Sequence, residues 1–211
     1  MYDILELPIQ SRQELKNAII QHIKKFGTMK AIRRQLELGL VDLLLQFTIT
    51  SISKPVFIND QANTASQVNA MPISVDELKR EFEGLPIILL EVLNYLAEEI
   101  DNERLCLTRT ERQEVSRQLE KYVLTVLQFL VGFLQLQQEQ NINPTYEDVL
   151  SGCLRCVKSW IRLSSNLDPT FLENYPFFRI AFQNLAQKQS KADLFDDSVD
   201  VICELIVQTR T

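Results

Sequence analysis

The stretch from Leu85 to Ile100 (LPIILLEVLNYLAEEI) constrains the fold more than any other part of the chain. Leu85, Ile88, Leu89, Val92, Leu93, Leu96 and Ile100 recur at the three-and-four spacing of one helix face. Ile87, Leu90 and Tyr95 add apolar surface on its other sides. A helix apolar over more than half its circumference must be covered on more than one side. That is the situation of a middle helix in a layered stack, not of a helix lying on a globule's surface.

The rest of the sequence agrees with a helical stack. Apolar residues make up 45% of the 211 residues, enough for a substantial core, and there are only 5 glycines and 7 prolines. β-Branched residues do not gather into alternating runs, so no sheet is expected. The net charge of −6 argues against general nucleic-acid binding, which needs a basic footprint. Cys106, Cys153, Cys156 and Cys203 are scattered, and the N-terminal residues show no apolar signal segment. They read as reduced, intracellular thiols. The greasiest run, Tyr122–Leu136, is shorter than the about 20 apolar residues of a membrane span and is broken by Gln128 and Gln135.

Periodicity predicts four helix pairs: about 11–26 with 29–48, 74–83 with 85–100, 109–138 with 145–163, and 168–188 with 193–208. Ser11 with Glu14, and Ser74 with Glu77, have the S-x-x-E spacing of a capping box. Thr108 or Thr110 opens the longest helix, and Thr145 caps the one after it. Gly27 should end the first helix, Gly84 should make a corner, and Pro86 should occupy a first helical turn. The polar stretch 49–72 reads as a long loop. The whole chain, 1–211, reads as one array of helical hairpins. Its unit spacing of about 40 to 60 residues lies at the long end of the HEAT and armadillo range. Pattern alone also admits a closed helical bundle.

Candidate chemistry is sparse. Cys153 and Cys156 have a metal-like spacing, but a structural zinc needs about four ligands and the pair falls on the apolar face of a helix. They read as core residues. His22, the sole histidine, lacks an orienting carboxylate and reads as a helix-end residue. No Gly-rich phosphate loop, G-x-S-x-G elbow or H-E-x-x-H occurs. Trp160 reads as a packed aromatic holding the 145–163 helix to its neighbours. No catalytic residue, cofactor or metal is expected.

Several short strings in order carry a resemblance. Glu6-Leu7-Pro8, Ser11, Leu15 and His22-Ile23 lead into Gln35-Leu36-x-Leu38 and Asp42-Leu43-x-Leu45-Gln46. Leu85-Pro86 is followed by Leu89-Leu90-Glu91-Val92-Leu93 and Leu96-x-Glu98-Glu99. Arg112-x-Glu114, Cys156-Val-Lys-Ser-Trp160 and Cys203 complete the set. Over nearly its whole length the chain resembles the transportin-SR branch of the importin-β superfamily, the import receptors for serine/arginine-rich cargo. The neighbouring importin-13 branch shares much of this pattern. The 49–72 loop is longer than that branch carries, and the tryptophan that usually ends the preceding helix is missing. Family members are much larger superhelices, so the resemblance implies an N-terminal section of such an array and a truncated start at Met1. Cutting an array also predicts exposed apolar faces on the first and last pairs, and self-association.

The resemblance implies an all-α superhelix of HEAT-like hairpins and a carrier that shuttles between nucleus and cytoplasm. Its partners would be Ran-GTP at the N-terminal arch and phenylalanine-glycine nucleoporins. Serine/arginine-rich cargo would bind only the full-length receptor, and neither nucleic acid nor membrane would bind directly. Ran presents basic surface to acidic inner helices. The inner row should be the second helix of each pair. Exposed polar positions there include Glu37, Asp42, Glu91, Asn94, Glu98, Glu99, Lys158 and Arg162, with Glu91, Glu98 and Glu99 foremost. The plainer reading of these side chains is that they solvate their helices. A separate alternative for the whole chain is a generic HEAT-like protein-interaction scaffold with no part in transport.

Overall fold

Gly84 turns the chain with φ at 76°, a left-handed conformation that glycine adopts without a Cβ penalty, and Pro86 then occupies the first position of a helix. That corner and the helix after it stand where the sequence places them. The computed structural model describes residues 8–53, 75–102, 105, 107–140, 146–164, 175–186 and 192–208. Among these residues there are nine α-helices, a 3₁₀ turn at Glu99–Asp101, and no strand. The helices are α1 (Ile9–Lys25), α2 (Lys30–Ser53), α3 (Val75–Glu81), α4 (Pro86–Glu98) and α5 (Arg109–Glu120). They continue as α6 (Val123–Gln140), α7 (Tyr146–Arg162), α8 (Phe177–Ala186) and α9 (Ala192–Gln208).

The chain divides into two compact units. The first comprises Met1–Gly84 and Glu99–Gln118. Here α1 and α2 form an antiparallel hairpin, with Ile20, Ile23, Leu40, Leu43 and Leu44 in its core. Lys16 is buried and reaches Glu77 of α3 at 3.1 Å, and Lys24 reaches Glu81 at 3.0 Å. Both helices therefore advance in the same direction, as the first helices of successive hairpins would.

Three local expectations are corrected here. The Ser11–Glu14 capping box does not form: α1 starts at Ile9 after an extended Pro8, and the Arg12 amide donates to the Pro8 carbonyl at 3.1 Å. Proline's fixed φ has already set the helix two residues upstream of Ser11. Helix α2 runs on to Ser53, past the expected end at Thr48. Its polar residues look like loop, but Ile49 is buried and the first breaker is Pro55, which disfavours helix at the residue before it. The rest of the expected loop, with Ser74, lies outside the described residues, as do Thr145 and residues 165–174. Finally, the long helix over 109–138 is two helices. At Lys121–Tyr122 the Tyr122 amide donates to Leu119 at 2.8 Å, a tightened turn that breaks the ladder.

At the start of α5, Thr108 does cap. Its amide and hydroxyl lie 2.9 and 2.8 Å from Glu111 Oε2, and the Glu111 amide lies 3.3 Å from Thr108 Oγ1. This is the reciprocal capping box, and it holds the Glu111 carboxyl below its ordinary range.

The second unit comprises Leu85–Glu98 and Leu119–Thr211. In it α6 packs on α7, α8 packs on α9, and α4, α7 and α9 lie side by side. The contacts show their direction. From α4 to α7 they link residues 61 to 67 apart, and Leu90, Leu93, Asn94 and Glu98 meet Cys156, Trp160 and Ser159. From α7 to α9, Lys158 meets Asp200, 42 residues on, with Arg155–Asp197 and Arg162–Glu204 at the same offset. Position along one helix maps onto the same position along the next, so the three run parallel. A parallel row of every second helix is what stacked hairpins produce.

Candidate functional site

Helix α7 is the middle member of that row, and its sequence divides cleanly between its neighbours. Glu147 and Asp148 sit in its first turn and Arg162 in its last, complementing the helix dipole. Toward α4 it presents small and apolar groups. A Cβ added to Gly152 would stand 3.0 Å from Leu90 Cδ1, so glycine permits the close approach there. The Cys156 thiol donates to the Leu90 carbonyl at 3.0 Å, and the fully buried Trp160 donates its indole N–H to the Leu93 carbonyl at 3.0 Å. Trp160 is thus the packed aromatic that the sequence predicts. Cys153 and Cys156 are buried core thiols, and burial pushes both well up, so they keep their protons. A thiol held this way is neither metal ligand nor nucleophile. Exposed His22 stacks on Phe26 near the end of α1, ring centroids 5.9 Å apart.

The polar edge of the row continues across all three helices. On α4, Asn94 Oδ1 and Glu98 Oε1 lie 2.8 and 3.0 Å from the Ser159 hydroxyl and share its one proton. On α7, Arg155, Lys158 and Arg162 follow one another at intervals of three and four. On α9, Asp197, Asp200 and Glu204 do the same, so cation meets anion in register. Lys158 Nζ is 2.6 Å from Asp200 Oδ2, while the nearest approaches of Arg155 to Asp197 and Arg162 to Glu204 are 3.8 Å. Ser151 also donates to Asp197. Burial raises the Asp197 carboxyl above its ordinary range, against the lowering effects of Ser151 and Arg155.

The ledge is layered by charge. Asp197 and Glu204 are 14% and 17% exposed, whereas Arg155 and Arg162 are 51% and 55% exposed. The guanidinium groups therefore lie outermost, above carboxylates they partly cover.

Of the residues singled out in the sequence, Asn94 and Glu98 come together with α7, and Lys158 and Arg162 with α9. Half-buried Glu91 shares the α4 face with Asn94 and Glu98 by its spacing. Two expectations of exposure are overturned. Glu99 is buried in the 3₁₀ turn, where it accepts from Asn102 Nδ2 at 2.6 Å, and it belongs to the first unit. Where the helix tightens after Glu98, the residue rotates off the α4 face. Glu37 is fully buried in α2 with Arg33 Nε at 3.2 Å. Arg155, Ser159, Asp197, Asp200 and Glu204 were not foreseen. The signal that finds the charged four is the matching three-and-four spacing of bases and acids 42 residues apart; Ser159 leaves no such signal.

Among the described residues no group of three or more His, Cys, Asp or Glu is arranged to hold a metal, and no single helix is long and apolar enough to cross a membrane. Among the described residues, large apolar side chains are exposed on the first expected pair (Met29, Ile32) and the last (Phe182, Phe195, Ile206, Val207), but also on α6 (Leu124, Leu136), so such exposure is not confined to the end pairs. In comparison with known families, residues 29–202, well over half the chain, match the family described as exportin 1-like protein. No curated protein matches the chain.

Proposed function

Because the chain belongs to the exportin 1-like family, within the importin-β superfamily of transport receptors, we propose that it is a section of a nuclear transport receptor. On this reading the chain acts by binding proteins and does no chemistry. It forms one HEAT-like array that contributes to a Ran-GTP-binding arch of a transportin-SR-like importer. The whole receptor would shuttle between nucleus and cytoplasm, touch phenylalanine-glycine nucleoporins and carry serine/arginine-rich cargo.

The supporting observation is the parallel row of α4, α7 and α9 with its continuous polar edge, all but the last turns of α9 inside the span that matches the family. The acids expected to meet a basic partner surface are Glu91 and Glu98 of α4. Glu99 drops out because it is buried. Glu98 stays exposed despite its bond to Ser159, so it can still pair with an incoming cation. The test is a pull-down of the chain with Ran loaded with GTP or GDP. GTP-selective capture, weakened by Glu91→Lys with Glu98→Lys, is the expected result. Equal capture of both nucleotide forms, or none, refutes the Ran assignment and leaves a HEAT-like scaffold.

A further inference from the structure

The α7 cations are charge-paired by α9, yet two of the three pairs are incomplete. Lys158 is satisfied at 2.6 Å and is 30% exposed. Arg155 and Arg162 approach their acids no closer than 3.8 Å, through Nε, and stand half in solvent. That distance is beyond hydrogen-bond range. A guanidinium carries five N–H donors in a rigid fork suited to bidentate pairing with a carboxylate. Asp197 and Glu204 approach from beneath and neutralise charge without saturating those donors.

We infer that Arg155 and Arg162 form a two-point docking site for an acidic peptide segment of a protein partner. The two residues are seven apart on one helix, which sets their bases about 10 Å apart along its axis. A peptide in the polyproline II conformation rises about 3 Å per residue and returns to the same face every third residue, so side chains three apart point the same way at about that distance. The fitting ligand therefore carries acidic side chains at every third position. Extended nucleic acid fits poorly, because the site is an island. Glu98 on α4 and Asp200 on α9 stand on either side of the α7 row, and the chain's net charge is −6. A continuous phosphate backbone would be carried over those acids, whereas a short peptide need not be. This surface does not depend on the Ran assignment, which concerns the acids of α4.

The test is fluorescence anisotropy at low ionic strength with the whole chain. The probe is a labelled peptide carrying glutamate at every third position. Its controls are the same peptide with glutamine in those positions, and a short labelled oligothymidine. Glutamate-peptide binding is expected, weakened about tenfold or more by Arg155→Gln with Arg162→Gln and unchanged by Arg109→Gln on α5. Raising the salt should weaken it further. Asp200→Asn, which releases Lys158, should tighten it. The replaced arginines are half-exposed, so circular dichroism should show the double variant folded. Should that variant nevertheless unfold, the Asp200→Asn arm still decides. Equal binding of the glutamine peptide, tighter binding of oligothymidine, or an unchanged affinity in the folded double variant would overturn the assignment.

Discussion

Truncating Trp160 to alanine tests the row of parallel helices at its tightest point. The indole is fully buried between α7 and α4, and its N–H is bonded to Leu93. A tryptophan buries about 150–250 Å² of surface, and its loss from a core costs about 3–5 kcal/mol with the cavity left behind. The indole hydrogen bond adds about 1 kcal/mol. The Leu93 carbonyl keeps its place in the α4 ladder, so no orphan acceptor adds to the cost. A total of about 4–6 kcal/mol is a large part of the stability of an ordinary domain. With a urea dependence of about 2 kcal/mol per molar, the midpoint followed by far-ultraviolet circular dichroism should fall by about 2–3 M. Trp160→Phe keeps one ring and should cost less than half of that. Since this is the only tryptophan, wild-type fluorescence reports the second unit alone, and acrylamide should quench it weakly. A midpoint unmoved in the alanine variant, or strong quenching in the folded wild type, would refute the packing described for α4 and α7.

Gly152→Leu should destabilise by about 1–3 kcal/mol in the same titration, since the side chain must enter space held by Leu90. Gly152→Ala should lie near wild type, because its helix propensity offsets the 3.0 Å contact. Thr108→Ala removes the cap of α5 and should cost about 1 kcal/mol, read by thermal melting. The lowered Glu111 carboxyl contributes stability above the ordinary glutamate range and loses it as pH falls, so this difference should shrink in acid. Asp197 has the opposite sign. Its raised carboxyl takes a proton more readily folded than unfolded, so its contribution declines as pH rises from the ordinary aspartate range toward the raised value. Asp197→Asn should flatten that part of the stability–pH profile, and an unchanged slope would count against the burial described.

Helix content was readable because burial on several sides leaves a dense periodic trace. Leu89, Val92, Leu93 and Leu96 of α4 are all buried, as their spacing requires. Ends and breaks were less visible, because they depend on single backbone events. Pro8 set the start of α1 ahead of Ser11, and α2 continued to the residue two before Pro55 despite its polar composition. The break between α5 and α6 left no mark at all. Val115, Leu119, Val123, Val126 and Leu127 stay buried at helical spacing straight through it, and no proline or glycine stands there.

Charged residues are harder still, since a helix seen alone cannot say which of its polar positions faces water and which faces a neighbour. Glu37 and Glu99 look as solvated as Glu98, yet both are buried, one beside Arg33 and the other in a tightened turn. What separates them is register between helices. The bases 155, 158 and 162 repeat the spacing of the acids 197, 200 and 204 at an offset of 42, the length of one hairpin. That coincidence is weak for any single pair, because exposed ion pairs contribute little and arise readily by chance. Three in a row at one offset fix the direction and alignment of two helices at once. In a stack whose repeats share no motif, such a ladder is the nearest thing to a written record of the repeat, and it lies on the face where a partner can reach it.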